Sequence, residues 1–199
     1  MSLQVHPFSG QAALPFIDEL ARLRIQVFRE FPYLYEGDYE YERNYLQTFL
    51  GAPGNLLALA FDGSRVVGAS TAMPMIHETP NIQAPFQEKG FDLERIYYFS
   101  ESILEKAYRG RGIGKEFFRL REEKAVELGG FGLLAFCAVL RPADHPLRPP
   151  DYAPLDAFWQ KQGFSRHDEL VCTIPWKDLT EPAESPKSLV FWLKEIRPH

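Results

Sequence analysis

The sequence predicts a mixed α/β fold whose ligand site lies at the ends of its strands. The main observation is a strand–helix–strand unit. It consists of the apolar run Ile96–Leu104, a helix predicted over residues 112–128 and the nearly all-apolar run 131–140. A crossover helix usually makes its two strands parallel neighbours in one sheet. Apolar runs on both sides of Asp62-Gly63-Ser64 predict an antiparallel hairpin upstream.

Two helices are predicted before that hairpin. Residues 11–31 carry a helical repeat that is apolar except for Arg24 and ends at Pro32. Residues 38–50 follow as a second helix with Asp38 as its N-cap. The turn between the two helices is unusually aromatic.

The remaining segments complete the sheet. Residues 73–91 contain three prolines and predict a long loop with about one helical turn. Residues 141–154 contain five prolines and predict a second loop. A short helix over 155–162 and closing strands over 164–175 and 189–196 follow.

Composition limits the class of protein. A chain of 199 residues predicts one domain, spanning residues 1–199. Its net charge of -5 argues against a nucleic-acid binder. No apolar run reaches the ~18 residues of a membrane span, and no secretory signal is evident. Cys137 and Cys172 lie in apolar runs and are expected to be reduced, so we expect a cytoplasmic protein that does not act at a membrane.

A glycine-rich turn with three basic residues precedes the predicted helix over residues 112–128. Backbone N–H groups at a helix N-terminus bind anions, and glycines let the backbone approach a ligand closely. The spacing excludes the dinucleotide fingerprint, because Lys115 replaces its third glycine, and it also excludes the nucleoside triphosphate loop. The turn therefore predicts a pyrophosphate site made by Arg109, Gly110, Arg111, Gly112, Ile113, Gly114 and Lys115.

These residues fit the Arg/Gln-x-x-Gly-x-Gly/Ala signature, and the chain resembles the GNAT superfamily of acyl-CoA N-acyltransferases. Residues 159–164 also resemble the family's helix ending, aromatic-x-x-x-Gly-Phe. The resemblance implies a single GNAT domain with a mixed, mostly antiparallel sheet of about seven strands. That sheet would be splayed at the acyl-CoA site and flanked by about four helices.

The resemblance implies acetyl-CoA as co-substrate and no metal. The N–H groups of the turn would hold the pyrophosphate, while Arg109 and Gly110 shape the turn. The backbone of Ser102, Ile103 and Leu104 would bind the pantetheine arm, and an N–H near Leu104 would polarise the thioester carbonyl.

The implied reaction is direct attack of a neutral amine on the thioester in a ternary complex, which calls for a base. Glu101 is the leading candidate. Alternation places it on one strand face with Tyr97, Phe99 and Ile103, where aromatic surroundings would raise its pKa. A solvated or ion-paired strand residue is the alternative for Glu101.

The chain departs from the family at Trp159, where a tyrosine often protonates the leaving thiolate. Indole is a very poor acid, so Trp159 is predicted to be a packing wall beside the acyl arm. Either Tyr152 or another group is the acid, or no acid is needed. The departure also favours an alternative class, a catalytically silent acyl-CoA-binding or sensing module.

The acceptor site is expected near the aromatic turn and the loops. Its candidates are Tyr33, Tyr35, His77, Glu101 and His145. A tyrosine cluster suits a cation, so the expected partner is a small-molecule amine or a peptide or protein amine, with the protein a monomer or homodimer.

Overall fold

A seven-stranded sheet forms the centre of the protein in a computed structural model that describes residues 3–196. Its strand order is β1-β2-β3-β4-β5-β7-β6. All neighbouring strands are antiparallel except β4 and β5, which are parallel as predicted. The strands are β1 (Leu3–Phe8), β2 (Leu56–Asp62), β3 (Arg65–Pro74), β4 (Ile96–Leu104), β5 (Leu133–Val139), β6 (Ser165–Lys177) and β7 (Glu184–Glu195).

Five α-helices flank the sheet, where about four were expected. They are α1 (Ile17–Phe28), α2 (Tyr39–Gly51), α3 (Pro80–Glu88), α4 (Ile113–Leu128) and α5 (Asp156–Lys161). Among residues 3–196, no helix combines the length and apolar character that crossing a membrane requires.

Helix α3 corrects the loop predicted over residues 73–91. Pro80 occupies the first helical turn, where its missing N–H costs nothing. Ile82 and Phe86 are buried against the sheet, so tertiary packing stabilises this helix although its prolines favour a loop.

The predicted first helix over residues 11–31 is shorter than expected. A 3₁₀ helix, Gly10–Phe16, precedes α1, and Pro15 lies inside it. Proline has no N–H to donate to the helical ladder, which explains the change of helix type before α1. The predicted N-cap of the second helix is confirmed, because the Asp38 carboxylate accepts a 2.8 Å hydrogen bond from the Tyr41 N–H.

The parallel pairing of β4 and β5 is short. Ile96, Tyr97 and Tyr98 pair with β5, and from Phe99 to Leu104 the two strands diverge. Over that length β4 keeps its pairing with β3 while β5 keeps its pairing with β7. The sheet is therefore splayed at its centre, and the backbone of β4 faces a gap.

A bulge in β4 overturns the predicted strand face of Glu101. Thr71 pairs with Glu101 and Met73 with Tyr98, so two steps along β3 oppose three along β4. The extra residue reverses the alternation beyond it. Phe99 consequently packs in the cluster that contains Phe118 of α4, whereas Glu101 contacts α1 and Ile103 packs with α1 and α2.

Candidate active site

The gap between β4 and β5 opens into one cavity of about 1010 Å³. Its walls come from both splayed strands, the glycine turn, α4, α5, the turn after α1 and the loop after β5. Residues predicted for the donor region, and two of the five predicted for the acceptor region, Tyr33 and Glu101, therefore line one continuous cavity.

The glycine turn forms one end of this cavity. Gly112 is the N-cap of α4 in a left-handed conformation, with φ 86°, and no side chain caps the helix. The first N–H with an acceptor in the helical ladder is that of Glu116, which donates to the Gly112 carbonyl at 3.1 Å. The preceding N–H groups lack intrahelical acceptors and are available to an anion.

The basic residues of the turn divide into two roles. Arg109 is structural: its Nε donates to the Leu104 carbonyl at 3.1 Å and its Nη2 lies 2.8 Å from a Glu30 carboxylate oxygen. Arg111 and Lys115 form no ion pair within residues 3–196. Their charges therefore remain uncompensated beside the helix N-terminus.

The backbone N–H groups of every second residue of β4 point into the gap between β4 and β5. The Glu105 N–H donates to the Val67 carbonyl of β3 at 3.0 Å. Alternation along an antiparallel strand then turns the N–H groups of Ser102 and Leu104 towards the gap. Ile103 is the exception among the three predicted backbone positions, because the same alternation turns its N–H towards β3 and its side chain is fully buried.

A buried charge network lies at the opposite side of β4. The guanidinium of Arg24, on α1, contacts the carboxylates of both Glu42 and Glu101. The ring of Tyr45 covers it at 4.5 Å and that of Phe28 at 5.1 Å. Two carboxyl groups thus share one guanidinium, so acidic groups outnumber basic ones in this network. Glu101 thus lies in an ion pair, which is the alternative anticipated from the sequence.

A second carboxylate near the cavity belongs to Glu78. The Ser100 hydroxyl, in the cavity wall, donates a 2.9 Å hydrogen bond to Glu78. Burial raises the pKa of the Glu78 carboxyl, and the hydrogen bond from Ser100 opposes that increase. Glu78 follows the β2–β3 hairpin by sequence, and only the fold brings it opposite β4.

Tyr152 and His145 both pack against Phe31. The ring of Tyr152 lies 4.7 Å from that of Phe31, and the ring of His145 lies 5.7 Å from it. Tyr152 forms part of the cavity wall, whereas His145 does not line the cavity. Burial raises the pKa of Tyr152 although Arg148 acts in the opposite direction, so the phenol keeps its proton at neutral pH.

The other predicted side chains separate into two groups. Tyr33 and Trp159 line the cavity, and the indole of Trp159 packs 5.1 Å from both Phe136 and Trp192, as expected of a packing wall. Tyr35 and His77 lie outside the cavity. Tyr35 turns towards Glu42 and is bridged to Asp178, while His77 is exposed at the end of a 3₁₀ helix.

Arg121 is a buried cavity residue that sequence reasoning missed. It follows Phe117 and precedes Ala125 by four residues each, so helical spacing alone places it on the apolar face of α4. Within residues 3–196, no cluster of three or more His, Cys, Asp or Glu side chains could hold a metal ion.

Solved structures with the same architecture are acetyltransferases. An acetyltransferase of the GNAT family from Streptococcus pneumoniae matches 98% of this chain and 100% of its own, with 14% identity and a TM-score of 0.59. NAA60 from Arabidopsis thaliana, in complex with a bisubstrate analogue, matches 100% of both chains with 12% identity and a TM-score of 0.63. The acetyltransferase yncA from Salmonella typhimurium, with its cofactor acetyl-CoA, matches 100% of this chain and 96% of its own, with 9% identity and a TM-score of 0.62.

No protein-family model and no curated protein sequence matches this chain. The structural likeness nevertheless spans whole chains. The chain therefore has the GNAT fold.

Proposed function

We propose that this protein transfers an acyl group, acetyl by resemblance, from coenzyme A to a primary amine. The observation that carries the proposal is that the uncapped N-terminus of α4 lies at one end of the gap between β4 and β5. An anion site and an unpaired strand backbone then lie in one cavity, as a pyrophosphate attached to an extended amide-bearing arm requires.

The residues present fit coenzyme A. The uncapped N–H groups at Gly112 and the cation of Lys115, which lines the cavity, match a pyrophosphate. Arg111 adds a second cation to the same turn, with its guanidinium 5.3 Å from the centroid of the Tyr108 ring. The N–H groups of Ser102 and Leu104 face the gap, where they can bind the arm and the thioester carbonyl. Acyl-CoA supplies the activated carbonyl carbon, and the chain supplies its orientation.

Acyl transfer in this cavity is a balanced substitution. Glu101 takes a proton from the acceptor ammonium, and the neutral amine nitrogen then bonds to the carbonyl carbon as the carbon–sulfur bond breaks. A β4 N–H stabilises the negative charge that develops on the carbonyl oxygen. The nitrogen gives up a second proton as the amide forms, and the departing sulfur gains one. Tyr152, a protonated residue of the cavity wall, can donate its proton to the sulfur and take up the proton that the nitrogen releases.

The acceptor is proposed to be cationic before it reacts, since acidic groups outnumber basic ones in the Arg24–Glu42–Glu101 network. Tyr33 and Tyr152 supply aromatic surface in the same wall. A small-molecule amine and a peptide or protein amine both satisfy this chemistry. The free cysteines Cys137 and Cys172 fit a reducing cytoplasmic compartment.

The test is a screen of amines with acetyl-CoA and longer acyl-CoA thioesters, with thiol release as the signal and mass spectrometry of the product. Turnover with an amine, and acylation of that amine, support the proposal. Coenzyme A binding without turnover across small amines, peptides and protein lysines would contradict it in favour of the silent binding module.

A further inference from the structure

The side chain of Arg121 is a buried cation in the wall of the cavity between β4 and β5. It lies on the inner side of α4 and is 2% exposed. Its guanidinium packs against two aromatic rings, 4.2 Å from the centroid of Phe99 and 4.6 Å from that of Phe118. The two rings meet edge to face with their centroids 5.8 Å apart, so they contact the guanidinium from adjacent directions.

The hydrogen-bonding groups of the Arg121 guanidinium are only partly satisfied. Nε donates to the Phe117 carbonyl at 3.2 Å and Nη1 to the Glu101 carbonyl at a long 3.4 Å. Nη2 has no hydrogen-bond partner in the described part of the chain, residues 3–196. A buried donor that lacks an acceptor is costly, and more so when it is charged.

Two other arginines with little exposure are treated differently by the fold. Arg24 contacts the carboxylates of Glu42 and Glu101, and Arg141 lies 2.7 Å from a carboxylate oxygen of Asp178. Arg121 forms no ion pair with any residue from 3 to 196. An unpaired buried charge is the arrangement that proteins avoid unless a ligand completes it.

Nearby carboxylates do not neutralise Arg121. Glu122 is its neighbour in sequence, but both Glu122 oxygens bind Lys194 at 2.8 Å. Glu101 offers Arg121 a backbone carbonyl while its carboxylate contacts Arg24 on the other side of the sheet. Burial lowers the pKa of Arg121 to about 9, so the side chain is still a cation at neutral pH.

The position of Arg121 corresponds to the acyl end of the cavity. The glycine turn fixes the pyrophosphate end, and the gap-facing backbone of β4 runs from Leu104 back to Phe99. Arg121 lines the same cavity and packs on the ring of Phe99, the first residue beyond the pairing of β4 with β5. Its Nη1 reaches the Glu101 carbonyl, which is on the β3 side of the strand. A ligand laid along β4 therefore brings its acyl group to the guanidinium.

We infer that the acyl donor carries a terminal carboxylate, as in a short dicarboxylic acyl-CoA such as malonyl- or succinyl-CoA, and that Arg121 binds that carboxylate. This inference rests on the proposed acyl transfer from coenzyme A, and it replaces acetyl, the acyl group taken from the resemblance, with one that bears a carboxylate. A carboxylate supplies the acceptor that Nη2 lacks and the negative charge that the site lacks. The carboxylate does not react, so the bonds made and broken in transfer are unchanged.

The test is calorimetric titration of the protein with coenzyme A, butyryl-CoA, malonyl-CoA and succinyl-CoA. The expected result is that succinyl- or malonyl-CoA binds about 10- to 100-fold more tightly than butyryl-CoA, the value of a charged hydrogen bond. Arg121→Met should reduce this ratio to near one, and Arg121→Lys should retain part of it. Arg119→Met is the matched control, because it removes an exposed arginine of the same helix and should leave the ratio unchanged.

The outcomes separate this inference from the proposed function. If coenzyme A binds but neither carboxylate-bearing thioester exceeds butyryl-CoA, the donor class is wrong and coenzyme A binding stands. If no coenzyme A species binds, the proposed function itself fails. If Arg121→Met does not fold, the ratios of the wild-type protein and of Arg121→Lys still decide. A wild-type preference that Arg121→Lys or Arg121→Met leaves intact would overturn the role of Arg121.

Discussion

The two ends of the cavity are built in opposite ways. The donor end is mostly backbone: an uncapped helix N-terminus at Gly112 and the unpaired N–H groups of Ser102 and Leu104. The acceptor end is made of side chains, with Arg24 from α1 holding Glu42 from α2 and Glu101 from β4. The donor end therefore requires a particular chain path, whereas the acceptor end requires particular charges.

This difference implies different tolerances to substitution. A backbone site is lost when a side chain enters its space, and it resists changes of charge elsewhere. A charge network is lost when one member is removed, because the remaining buried charges are left unpaired.

The largest effect is expected from Glu101→Gln. If Glu101 is the base, kcat/KM should fall by about 100- to 10,000-fold, the usual contribution of a positioned base. Coenzyme A affinity should be retained, since the side chain faces α1 rather than the turn. Steady-state kinetics and calorimetry of the same preparation check both points, and unchanged kcat/KM at every pH would remove Glu101 from the mechanism.

Arg24→Met is expected to reduce the free energy of unfolding by about 3–5 kcal/mol, because it leaves two buried carboxylates without their cation. Chemical denaturation measures this loss. The double variant Arg24→Met/Glu42→Gln should recover part of the stability, since one of the two charges is then removed.

Arg43→Met is the control for that experiment. Its partner Asp18 is exposed, so the loss should be at most about 1 kcal/mol. Equal losses in the Arg24 and Arg43 variants would show that the buried network has no special role in stability.

Glu78→Gln should have a small effect that depends on pH. Because burial raises the pKa of Glu78 in the folded state, ionising it costs stability as pH rises from the unfolded pKa through the folded pKa. The variant avoids this cost, so its Tm relative to wild type should be higher at pH 8 than at pH 4. The expected difference is about 2–4 °C, which corresponds to about 1 kcal/mol in a domain of this size.

Glu88→Gln, at the exposed end of α3, is the matched control and should show no such dependence on pH. A constant Tm difference for Glu78→Gln from pH 4 to pH 8 would mean that Glu78 ionises without cost.

The same contrast explains what the sequence could predict. The glycine turn and its helix are local, so spacing alone was sufficient to locate them. The bulge in β4 depends on how β3 pairs with it, and alternation therefore assigned Glu101 to the wrong face. Helix α3 needed tertiary packing to offset its prolines.

Charge partners were equally hidden from sequence reasoning. Arg24 occupies an apolar position of the first helix, which signals a buried cation but not the identity of Glu42 and Glu101 as its partners. Arg121 repeats that signal in α4. A buried arginine can thus be predicted from its position on the apolar face of a helix. Whether a carboxylate forms an ion pair with it can be seen only in the folded structure.

The central claim is that the glycine turn binds the pyrophosphate of coenzyme A, and calorimetric titration of coenzyme A into wild type, Gly114→Ala and Gly114→Glu tests it most directly. The backbone of Gly114 is not left-handed, and an added Cβ would meet only Phe158, at 3.4 Å, so alanine should fold and bind normally. The account predicts one site per chain in the wild type and a loss of about 100-fold or about 2.7 kcal/mol in Gly114→Glu. Equal affinity of the alanine and glutamate variants would contradict it.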